Sequence, residues 1–266
     1  MIEKMQIIIP MTGSGTRFRE AGYSRLKPFI EIHNKPIIEW VVEMFKGDDK
    51  ENIVFICRRE HLQTLDYVKK ELLRIAPEST IFCIEEWKNK GPAFDILKAA
   101  EVIKDNSPII VSYCDYYMHW DYADFKKNIA IRKCDGSIPC YTGFHPNLIP
   151  EKNLYGTCKV DKKNNLIEIR EKFSWHEDKT KDLHSPGVFY FKSGEILKKY
   201  CQEMIHAKEE INGEFYMSLP FNYLVKDGLE VWCPSNVVQF CQWGNPEDLE
   251  DYLLWINSIR KNKRVE

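Results

Sequence analysis

The sequence predicts an α/β fold with a mostly parallel sheet flanked by helices. Along residues 6–113, short apolar segments alternate with longer amphipathic segments of helical period, which is the pattern of a chain that winds strand, helix and strand around one sheet. The apolar segments are hydrophobic almost throughout, as expected for strands that are buried on both faces of a parallel sheet. A chain of 266 residues is also long enough to bury the core of one such domain.

The first half of the chain supplies this alternation. The apolar runs predict strands at 6–10, 52–57, 80–84 and 107–113, with a short extended piece at 29–32. Helices are predicted between them, at 35–45, 60–74 and 92–103. In the first of these helices Pro36 stands in the first turn, where its missing N–H costs nothing. One face of that helix is apolar and is expected to pack on the sheet; it carries Ile37, Trp40, Val41, Met44 and Phe45.

After about residue 150 the pattern changes to a hairpin followed by mixed elements. Segments at 155–160 and 166–170 flank the polar turn 161–165, whose asparagines can adopt left-handed conformations. A strand at 187–191, helices at 195–205 and 215–226, and an extended segment at 229–233 follow. The last helix begins with Asn245 as its N-cap and Pro246 in its first turn. We expect one compact domain whose second part lies over the edge of the sheet.

Composition and charge limit the class of partner. The chain has 38 basic and 40 acidic residues and a formal net charge of -2, so we expect no nucleic-acid partner and no membrane partner. The sequence shows no apolar signal region and no apolar run of about 18 residues, which predicts a cytoplasmic protein. Its nine cysteines contain no C-x-x-C pair, and we expect them to be reduced, buried and unpaired.

The loop after the first strand, Pro10-Met-Thr-Gly-Ser-Gly-Thr-Arg17, is predicted to bind phosphate. Two glycines two apart allow consecutive backbone N–H groups to turn inward on an anion, and Arg17 and Lys27 add cations suited to phosphate. A P-loop is excluded because no lysine follows Gly15 in the required register. The dinucleotide fingerprint is disfavoured because Phe18 stands where a third small residue is needed, and because 20–28 is predicted as a loop.

A carboxylate, Asp115, follows the last strand of the first half. In an open parallel sheet, ligands bind beyond the carboxyl ends of the strands, so we expect Asp115 and the glycine loop to lie at the same edge. A carboxylate there is suited to a divalent metal that keeps several waters and also binds substrate phosphates. From position alone, a turn or helix-capping role for Asp115 is an equally good interpretation. Trp87, Trp120 and Trp175 are expected near this edge, either stacking on a ligand or packing in the core.

Together these motifs resemble the sugar-phosphate nucleotidyltransferases, also called nucleotide-sugar pyrophosphorylases. The glycine loop with Arg17, Lys27-Pro28 and Lys35-Pro36 follows the family's order of G-x-G-T-R, P-K and K-P, although Leu26 stands where the family usually has Pro. Later segments also resemble family motifs: Gly91-Pro92-Ala93, Tyr155-Gly156, Glu171-Lys172, Ser185-Pro-Gly187 and Gln242-Trp-Gly-Asn-Pro-Glu-Asp248. The resemblance extends from residue 5 to about residue 250.

The resemblance implies a Rossmann-like fold of the GT-A type, with a smaller β-rich region that binds the acceptor. Residues 1–150 would bind the nucleotide, 151–245 the acceptor, and 246–266 would form the C-terminal helix and tail of the single domain 1–266. It implies catalytic roles for Arg17, Lys27, Asp115 and Lys172, with Asp115 as the ligand of Mg²⁺. The implied nucleotide contacts are Met11, Thr12, Gly13, Ser14, Gly15, Thr16, Gly91, Pro92 and Ala93. The implied acceptor contacts are Tyr155, Gly156, Glu171, Lys172 and Gly187.

The implied reaction transfers a nucleoside monophosphate from a nucleoside triphosphate to a sugar 1-phosphate or a similar phosphorylated acceptor, and releases pyrophosphate. CTP or UTP/dTTP is favoured because relatives with small acceptors often use pyrimidines, and surface polysaccharide or capsule biosynthesis is the expected pathway. The partners are thus a nucleoside triphosphate and a small phosphorylated acceptor, while homo-oligomerisation is left open.

Two alternatives stay open. One is a GT-A glycosyltransferase that uses a ready-made nucleotide sugar; such enzymes normally carry a D-x-D pair, whereas Asp115 is followed here by Tyr116 and Tyr117. The other is a catalytically weak, nucleotide-sensing homologue. It is favoured by Gln242, which stands where many members of the family place a second metal-binding Asp. Asp115 would then hold the metal nearly alone or with another carboxylate, for which Glu247 and Asp248 are close in sequence.

Overall fold

A seven-stranded sheet forms the centre of the computed structural model, which describes residues 4–45, 47–145, 148 and 153–262. In chain order the elements are β1 (Gln6–Pro10), α1 (Thr16–Glu20), β2 (Glu31–Ile32), β3 (Lys35–Pro36), α2 (Ile37–Glu43), β4 (Ile53–Arg58), α3 (Arg59–Thr64), α4 (Asp66–Ile75), β5 (Thr80–Ile84), α5 (Pro92–Lys98), β6 (Ile109–Ser112), β7 (Tyr116–Trp120), α6 (Tyr122–Arg132), β8 (Gly136–Ser137), β9 (Gly156–Val160), β10 (Leu166–Glu171), β11 (Leu183–His184), β12 (Val188–Phe191), α7 (Gly194–His206), α8 (Pro220–Lys226), β13 (Val231–Trp232), β14 (Val237–Gln242) and α9 (Pro246–Asn262).

The strand order of the central sheet is β13-β8-β12-β6-β1-β4-β5. β1 pairs in parallel with β4 and β6, and β4 pairs in parallel with β5. β12 is antiparallel to both β6 and β8, so the sheet is mixed but mostly parallel. The prediction of a mostly parallel sheet flanked by helices is confirmed.

The two faces of the sheet bury separate apolar cores. In β1, Ile7 and Ile9 belong to the core that also contains α2, while Ile8 belongs to the core on the opposite side. All three side chains are fully buried. This placement explains the unbroken apolar run of β1, because successive residues of a strand point to opposite faces and here neither face is exposed to solvent.

Several element boundaries differ from the sequence prediction. The helix predicted at 60–74 is two helices, α3 and α4, separated at Leu65, and the helix predicted at 215–226 begins only at Pro220. Pro36 lies in β3, and α2 begins at the next residue. Three elements, β7, α6 and β14, were not predicted from the sequence. β7 and β14 pair with each other as an antiparallel ladder outside the main sheet.

The second half adds a three-stranded sheet of order β10-β9-β11. Its hairpin, β9 and β10, is the predicted one, and Asn164 in the turn adopts a left-handed conformation with φ 61°. All nine cysteines are free, as predicted. Seven are buried, whereas Cys83 and Cys241 are only half-buried, so the prediction that all are buried is wrong for these two. Across the described part of the chain, no helix combines the length and hydrophobicity that crossing a membrane requires.

Candidate active site

Two adjoining cavities open beyond the carboxyl ends of β1 and β6. The first has a volume of about 310 Å³ and is lined by the loop after β1 and by residues 87–95; we call it the glycine-loop cavity. The second, of about 320 Å³, lies against the hairpin of β9 and β10 and the start of α9; we call it the hairpin cavity. The residues that line both cavities are Arg17, Tyr113, Asp115 and Tyr216.

The loop after β1 is held in place by backbone and side-chain contacts. Met11 N donates to Ile56 O at 2.8 Å, which extends the pairing of β1 and β4 by one residue. Gly15 adopts φ 63°, a left-handed conformation that suits glycine, and α1 begins immediately after it. The sequence argument against a dinucleotide-binding loop assumed that no helix begins directly after the glycines. A helix does begin there, although it has only five residues. It carries the exposed Arg17 to the boundary between the two cavities.

Buried polar groups lie beneath this loop. Thr12 Oγ1 donates a short hydrogen bond to Asp95 Oδ2, which also accepts from Trp87 Nε1 at 3.3 Å. The Arg58 guanidinium stacks on the Trp87 ring at 4.3 Å, and its Nε donates to His61 Nε2 at 3.1 Å. Burial raises the pKa of Asp95 to about 6, while burial and the charge of Arg58 lower the pKa of His61 to about 4. Near neutral pH, His61 is therefore a neutral acceptor for Arg58.

An ion pair marks the centre of the site. Lys27 Nζ lies 2.7 Å from Asp115 Oδ2, and both side chains are about one fifth exposed, at 19% and 23%. Burial alone would lower the pKa of Lys27, but the attraction of Asp115 outweighs it, so the pKa lies above its ordinary value. Lys27 therefore stays charged at any physiological pH, and it brings a positive charge to the carboxylate that follows β6.

The ladder of β7 and β14 places Gln242 beside Asp115. Gln242 pairs with Tyr116, and Trp243 N donates to Asp115 O at 3.2 Å. A Cβ added at Gly244 would lie 2.8 Å from Gln242 Nε2 and 3.0 Å from Asp115 Oδ2. The absence of a side chain at Gly244 thus allows the carboxylate and the amide to approach the same point.

Few protein ligands for a metal are present at this point. Within the described ranges, Asp115 belongs to no group of three or more His, Cys, Asp or Glu side chains at metal-binding distances. Asp248 lines the hairpin cavity, and its Oδ2 accepts from Asn245 Nδ2 at 2.6 Å in the helix-capping turn of α9. One carboxylate with a neighbouring amide fits an ion such as Mg²⁺, which takes most of its ligands from water and substrate phosphates.

The hairpin cavity presents a carboxylate and a lysine side by side. Glu171 is held by a short hydrogen bond from Ser218 Oγ, and burial raises its pKa. A Cβ on Gly156 would come within 2.7 Å of Glu171 Oε1, so only glycine leaves room for this carboxylate. Lys172 has the left-handed φ of 55°, its N donates to Tyr155 O at 2.9 Å, and its Nζ lies 5.6 Å from the centre of the Tyr216 ring.

Gly187 also shapes the wall of the hairpin cavity. It has φ 107°, and a Cβ there would lie 2.8 Å from the Tyr113 ring. Gly91 has the same function in the glycine-loop cavity, because it has φ 89° and a Cβ there would lie 2.7 Å from Phe215 N. Any other residue at either position would strain the backbone and displace a neighbour.

The structure brings most of the residues expected from the sequence to these cavities. Those that line the glycine-loop cavity are Met11, Thr12, Gly13, Gly15, Arg17, Lys27, Gly91, Pro92 and Asp115. Those that line the hairpin cavity are Arg17, Asp115, Tyr155, Gly156, Glu171, Lys172 and Gly187. Three others lie outside both linings. The hydroxyls of Ser14 and Thr16 bond to each other at 3.0 Å, and Ala93 is fully buried with its N donating to Phe215 O at 3.1 Å.

Four residues that line the glycine-loop cavity were not predicted from the sequence as site residues: Tyr113, Tyr216, Asp95 and Glu214. Tyr216 lies in the segment that was predicted as helix, so no loop was expected to return to the nucleotide side. Asp95 offered one signal, because it is a single carboxylate within the otherwise apolar stretch Ala93-Phe-Asp-Ile-Leu97. Of the three tryptophans, Trp87 lines the glycine-loop cavity, whereas the other two line neither cavity of the site. Trp120 packs on Phe45 and donates to Met44 O, and Trp175 Nε1 donates to Thr157 O at 3.3 Å.

Comparison with known proteins gives a family match over most of the chain. The sequence model described as nucleotidyl transferase matches residues 6–220. The bifunctional protein GlmU of Methanocaldococcus jannaschii is 25% identical over 226 residues, which are 84% of this chain and 47% of that protein. The chain therefore spans about half the length of that relative.

Two further proteins match along nearly their whole length. The D-glycero-alpha-D-manno-heptose 1-phosphate guanylyltransferase of Campylobacter jejuni is 23% identical over 94% of this chain and 99% of its own. The solved structure of a nucleoside-diphosphate-sugar pyrophosphorylase from Vibrio cholerae matches 93% of this chain and 99% of its own, with a TM-score of 0.70 and 19% identity. At that identity the structural likeness shows the fold alone, and it confirms the GT-A-type fold.

Proposed function

Because the chain belongs to the nucleotidyl transferase family, we propose that it transfers a nucleoside monophosphate from a nucleoside triphosphate to a sugar 1-phosphate or a similar phosphorylated acceptor. Pyrophosphate is the second product. The observation that carries this proposal is the junction of the two cavities, where Arg17 and Asp115 line both. Lys27 lies on the glycine-loop side of that junction and Lys172 on the hairpin side. Two polyanions can meet there between cations.

The acceptor phosphate is the nucleophile in this proposal. A phosphate monoester with a second pKa near ~6 is mostly dianionic at pH 7, so its oxygen attacks the α-phosphorus without a general base. The pyrophosphate leaves along the opposite direction of an in-line displacement. The site therefore has to position the two phosphates and neutralise their charge, for which its cations are suited.

We assign the triphosphate to the glycine loop. Neither packing nor backbone conformation explains the glycine at position 13, since a Cβ there would meet no described atom within 4 Å and its φ is not left-handed. Close approach of a phosphate to the backbone would explain it. Arg17 would bind the triphosphate, and Lys27 would bind the α-phosphate oxygen on which negative charge develops. On the other side, Lys172 would bind the acceptor phosphate and Glu171 would accept hydrogen bonds from acceptor hydroxyls.

Asp115 would hold the Mg²⁺, and the side-chain amide of Gln242 lies beside it. When bound, the ion would neutralise phosphate charge during the transfer. Lys27 already occupies one oxygen of Asp115 at 2.7 Å. The lysine therefore helps to fix the orientation of the carboxylate.

The finer assignments follow the sequence expectations. We propose a pyrimidine triphosphate, CTP or UTP/dTTP, as the donor and surface polysaccharide or capsule biosynthesis as the pathway. We also propose the division into a nucleotide part at 1–150, an acceptor part at 151–245 and a C-terminal helix and tail at 246–266. Glu214 and Tyr216 nevertheless line the glycine-loop cavity, so the acceptor part contributes to the nucleotide side as well.

The test is pyrophosphate release from a panel of nucleoside triphosphates and phosphorylated sugars in the presence of Mg²⁺. We expect one combination to turn over, and Asp115→Asn to reduce its rate on the order of 10²-fold or more. The matched control is Asp66→Asn, which changes an exposed aspartate at the start of α4 and should leave the rate unchanged.

Other outcomes would support the two alternatives. Transfer of the sugar from a nucleotide sugar to an acceptor, without triphosphate formation when pyrophosphate is added, would identify a glycosyltransferase. Binding of a triphosphate that depends on Mg²⁺, with no turnover on any acceptor, would identify a nucleotide-sensing homologue. Equal rates for the wild type and Asp115→Asn would remove Asp115 from the metal site.

A further inference from the structure

One wall of the glycine-loop cavity differs from the rest in its chemistry. The cations that line the cavity, Arg17 and Lys27, belong to the segment 10–29. The wall formed by residues 87–95 contributes no cation to the lining, and its members there are Trp87, Asn89, Gly91, Pro92 and Asp95. A wall of aromatic, amide and carboxylate groups does not suit a phosphate, but it suits a neutral heterocycle that carries N–H groups.

Asp95 is the unusual member of this wall. Its side chain is only 2% exposed, and its Oδ2 accepts from both Thr12 Oγ1 and Trp87 Nε1. Its Oδ1 is buried and has no hydrogen-bond partner in the described part of the chain. A buried carboxylate oxygen without a partner is costly, and native structures seldom retain one without a functional reason.

We propose that Asp95 Oδ1 accepts a hydrogen bond from the exocyclic amino group of cytosine, so that the site prefers CTP over UTP or dTTP. This inference rests on the proposed function of the cavity as a triphosphate site. A carboxylate only accepts hydrogen bonds. Cytosine offers it an N–H donor where uracil and thymine carry a carbonyl oxygen, which the carboxylate repels.

The surroundings of Asp95 fix the acceptor in place. Thr12 and Trp87 both donate to Oδ2, which holds the carboxylate plane, and the charges that act on it are those of Arg58 and Glu214. Burial raises the pKa of Asp95 to about 6, so the group is ionised above that pH and gains a proton below it. A protonated Asp95 could donate to a uracil carbonyl, and discrimination between the two pyrimidines should therefore weaken on acidification.

CTP and UTP provide a matched pair of probes, because their bases differ only in the groups on one edge of the pyrimidine ring. We would measure the binding of each to the full-length chain by calorimetry at pH 8. We expect CTP to bind about 10- to 100-fold more tightly than UTP, the range that corresponds to loss of a buried hydrogen bond. A repeat at pH 5.5 should reduce that ratio several-fold.

The decisive variant is Asp95→Asn. Its amide oxygen can still accept from Thr12 and Trp87, while its NH₂ group replaces the acceptor Oδ1 with a donor. We expect the preference to invert toward UTP, a result that loss of structure cannot produce because misfolding weakens both ligands alike. As a matched control, Thr12→Val removes one donor to Oδ2 and should lower both affinities without inverting their ratio.

The two proposals can fail separately. If the wild type binds neither CTP nor UTP, the glycine-loop cavity is not a triphosphate site and the proposed function fails. If both bind equally at pH 8, or if Asp95→Asn binds them in the same ratio as the wild type, Asp95 does not read the base and only the present inference fails. The pH series uses the wild type alone, so the inference stays testable even if Asp95→Asn does not fold.

Discussion

A single carboxyl group, Asp95, shows how the site affects the stability of the protein. Its pKa is raised from 3.8 to about 6, chiefly by burial, against the opposing hydrogen bonds from Thr12 and Trp87. Between these two values the unfolded chain releases its proton while the folded chain keeps it, so the free energy of unfolding falls as the pH rises. Above about pH 7 the loss is complete and amounts to about 3 kcal/mol. Such a cost is understandable at a ligand-binding position, where a donor from the ligand would offset it.

We predict that Asp95→Asn removes this dependence. The amide does not titrate, so the variant should gain stability relative to the wild type as the pH rises from about 4.5 to 7.5, by about 2 kcal/mol. Urea unfolding of both proteins at several pH values measures the difference, and other titrating groups cancel in the comparison. Parallel stability profiles would show that Asp95 has an ordinary pKa in the folded protein.

At the scale of elements, local patterns predicted the hairpin but not the ladder of β7 and β14. The hairpin strands are consecutive, and their polar turn contains Asn164, which adopts the left-handed conformation that the sequence allows. Within the described residues β7 pairs with β14 alone, and β14 lies more than a hundred residues later in the chain. A reading of short-range periodicity does not detect such a pair. For this reason no predicted strand brought Gln242 close to Asp115. The two residues were connected only through the resemblance to the family, in which many members have a second metal-binding Asp at the position of Gln242.

The hairpin also yields a prediction about the acceptor. In Gly156→Ala the new Cβ would lie 2.7 Å from Glu171 Oε1, so the carboxylate must move away from its Ser218 partner. We expect the KM for the acceptor to rise about 10-fold or more, because a displaced carboxylate no longer meets the acceptor hydroxyls. The affinity for the triphosphate should not change, since Gly156 and Glu171 line only the hairpin cavity.

Steady-state kinetics with each substrate varied in turn would check this prediction. Thr157→Ser, at the next position of β9, is a suitable control because it preserves the hydroxyl that donates to Phe173 O. A rise in the KM for the triphosphate in Gly156→Ala would indicate that the hairpin supports both cavities.

At the scale of the whole molecule, the architecture and the edge of the sheet at which the site lies could both be predicted from the sequence. The alternation of apolar and amphipathic segments predicted the sheet, and the general behaviour of parallel sheets placed Arg17, Lys27 and Asp115 together. The sequence did not predict that Tyr113 and Tyr216 line both cavities. Tyr216 lies in the loop before α8, and the neighbouring Met217 N donates to Tyr113 Oη at 3.4 Å. No local sequence pattern encodes this long-range contact.

The arrangement of the cations predicts a difference between Arg17 and Lys172. Arg17 lines both cavities, whereas Lys172 lines only the hairpin cavity. We expect Arg17→Met to weaken both substrates and Lys172→Met to weaken only the acceptor, each by about 10-fold or more where it acts, because each loses a charge-assisted contact with phosphate. Binding of the triphosphate alone, measured by calorimetry, separates the two variants.

Lys162→Met, in the exposed hairpin turn, serves as the control for loss of a positive charge. If Lys172→Met weakens the triphosphate as strongly as Arg17→Met does, the division of cations between two substrates is wrong.

The shared wall of Arg17, Tyr113, Asp115 and Tyr216 has a consequence for inhibition. The two adjoining cavities share these residues, so a molecule with a base at one end, a sugar at the other and a diphosphate between them could reach into both at once. The product of the proposed reaction has this form. It would exclude both substrates together and act as a competitive inhibitor against each, and a stable bisubstrate analogue would inherit the binding contributions of both halves. The rate of the enzyme would then be limited by how quickly the next step of the pathway removes its product.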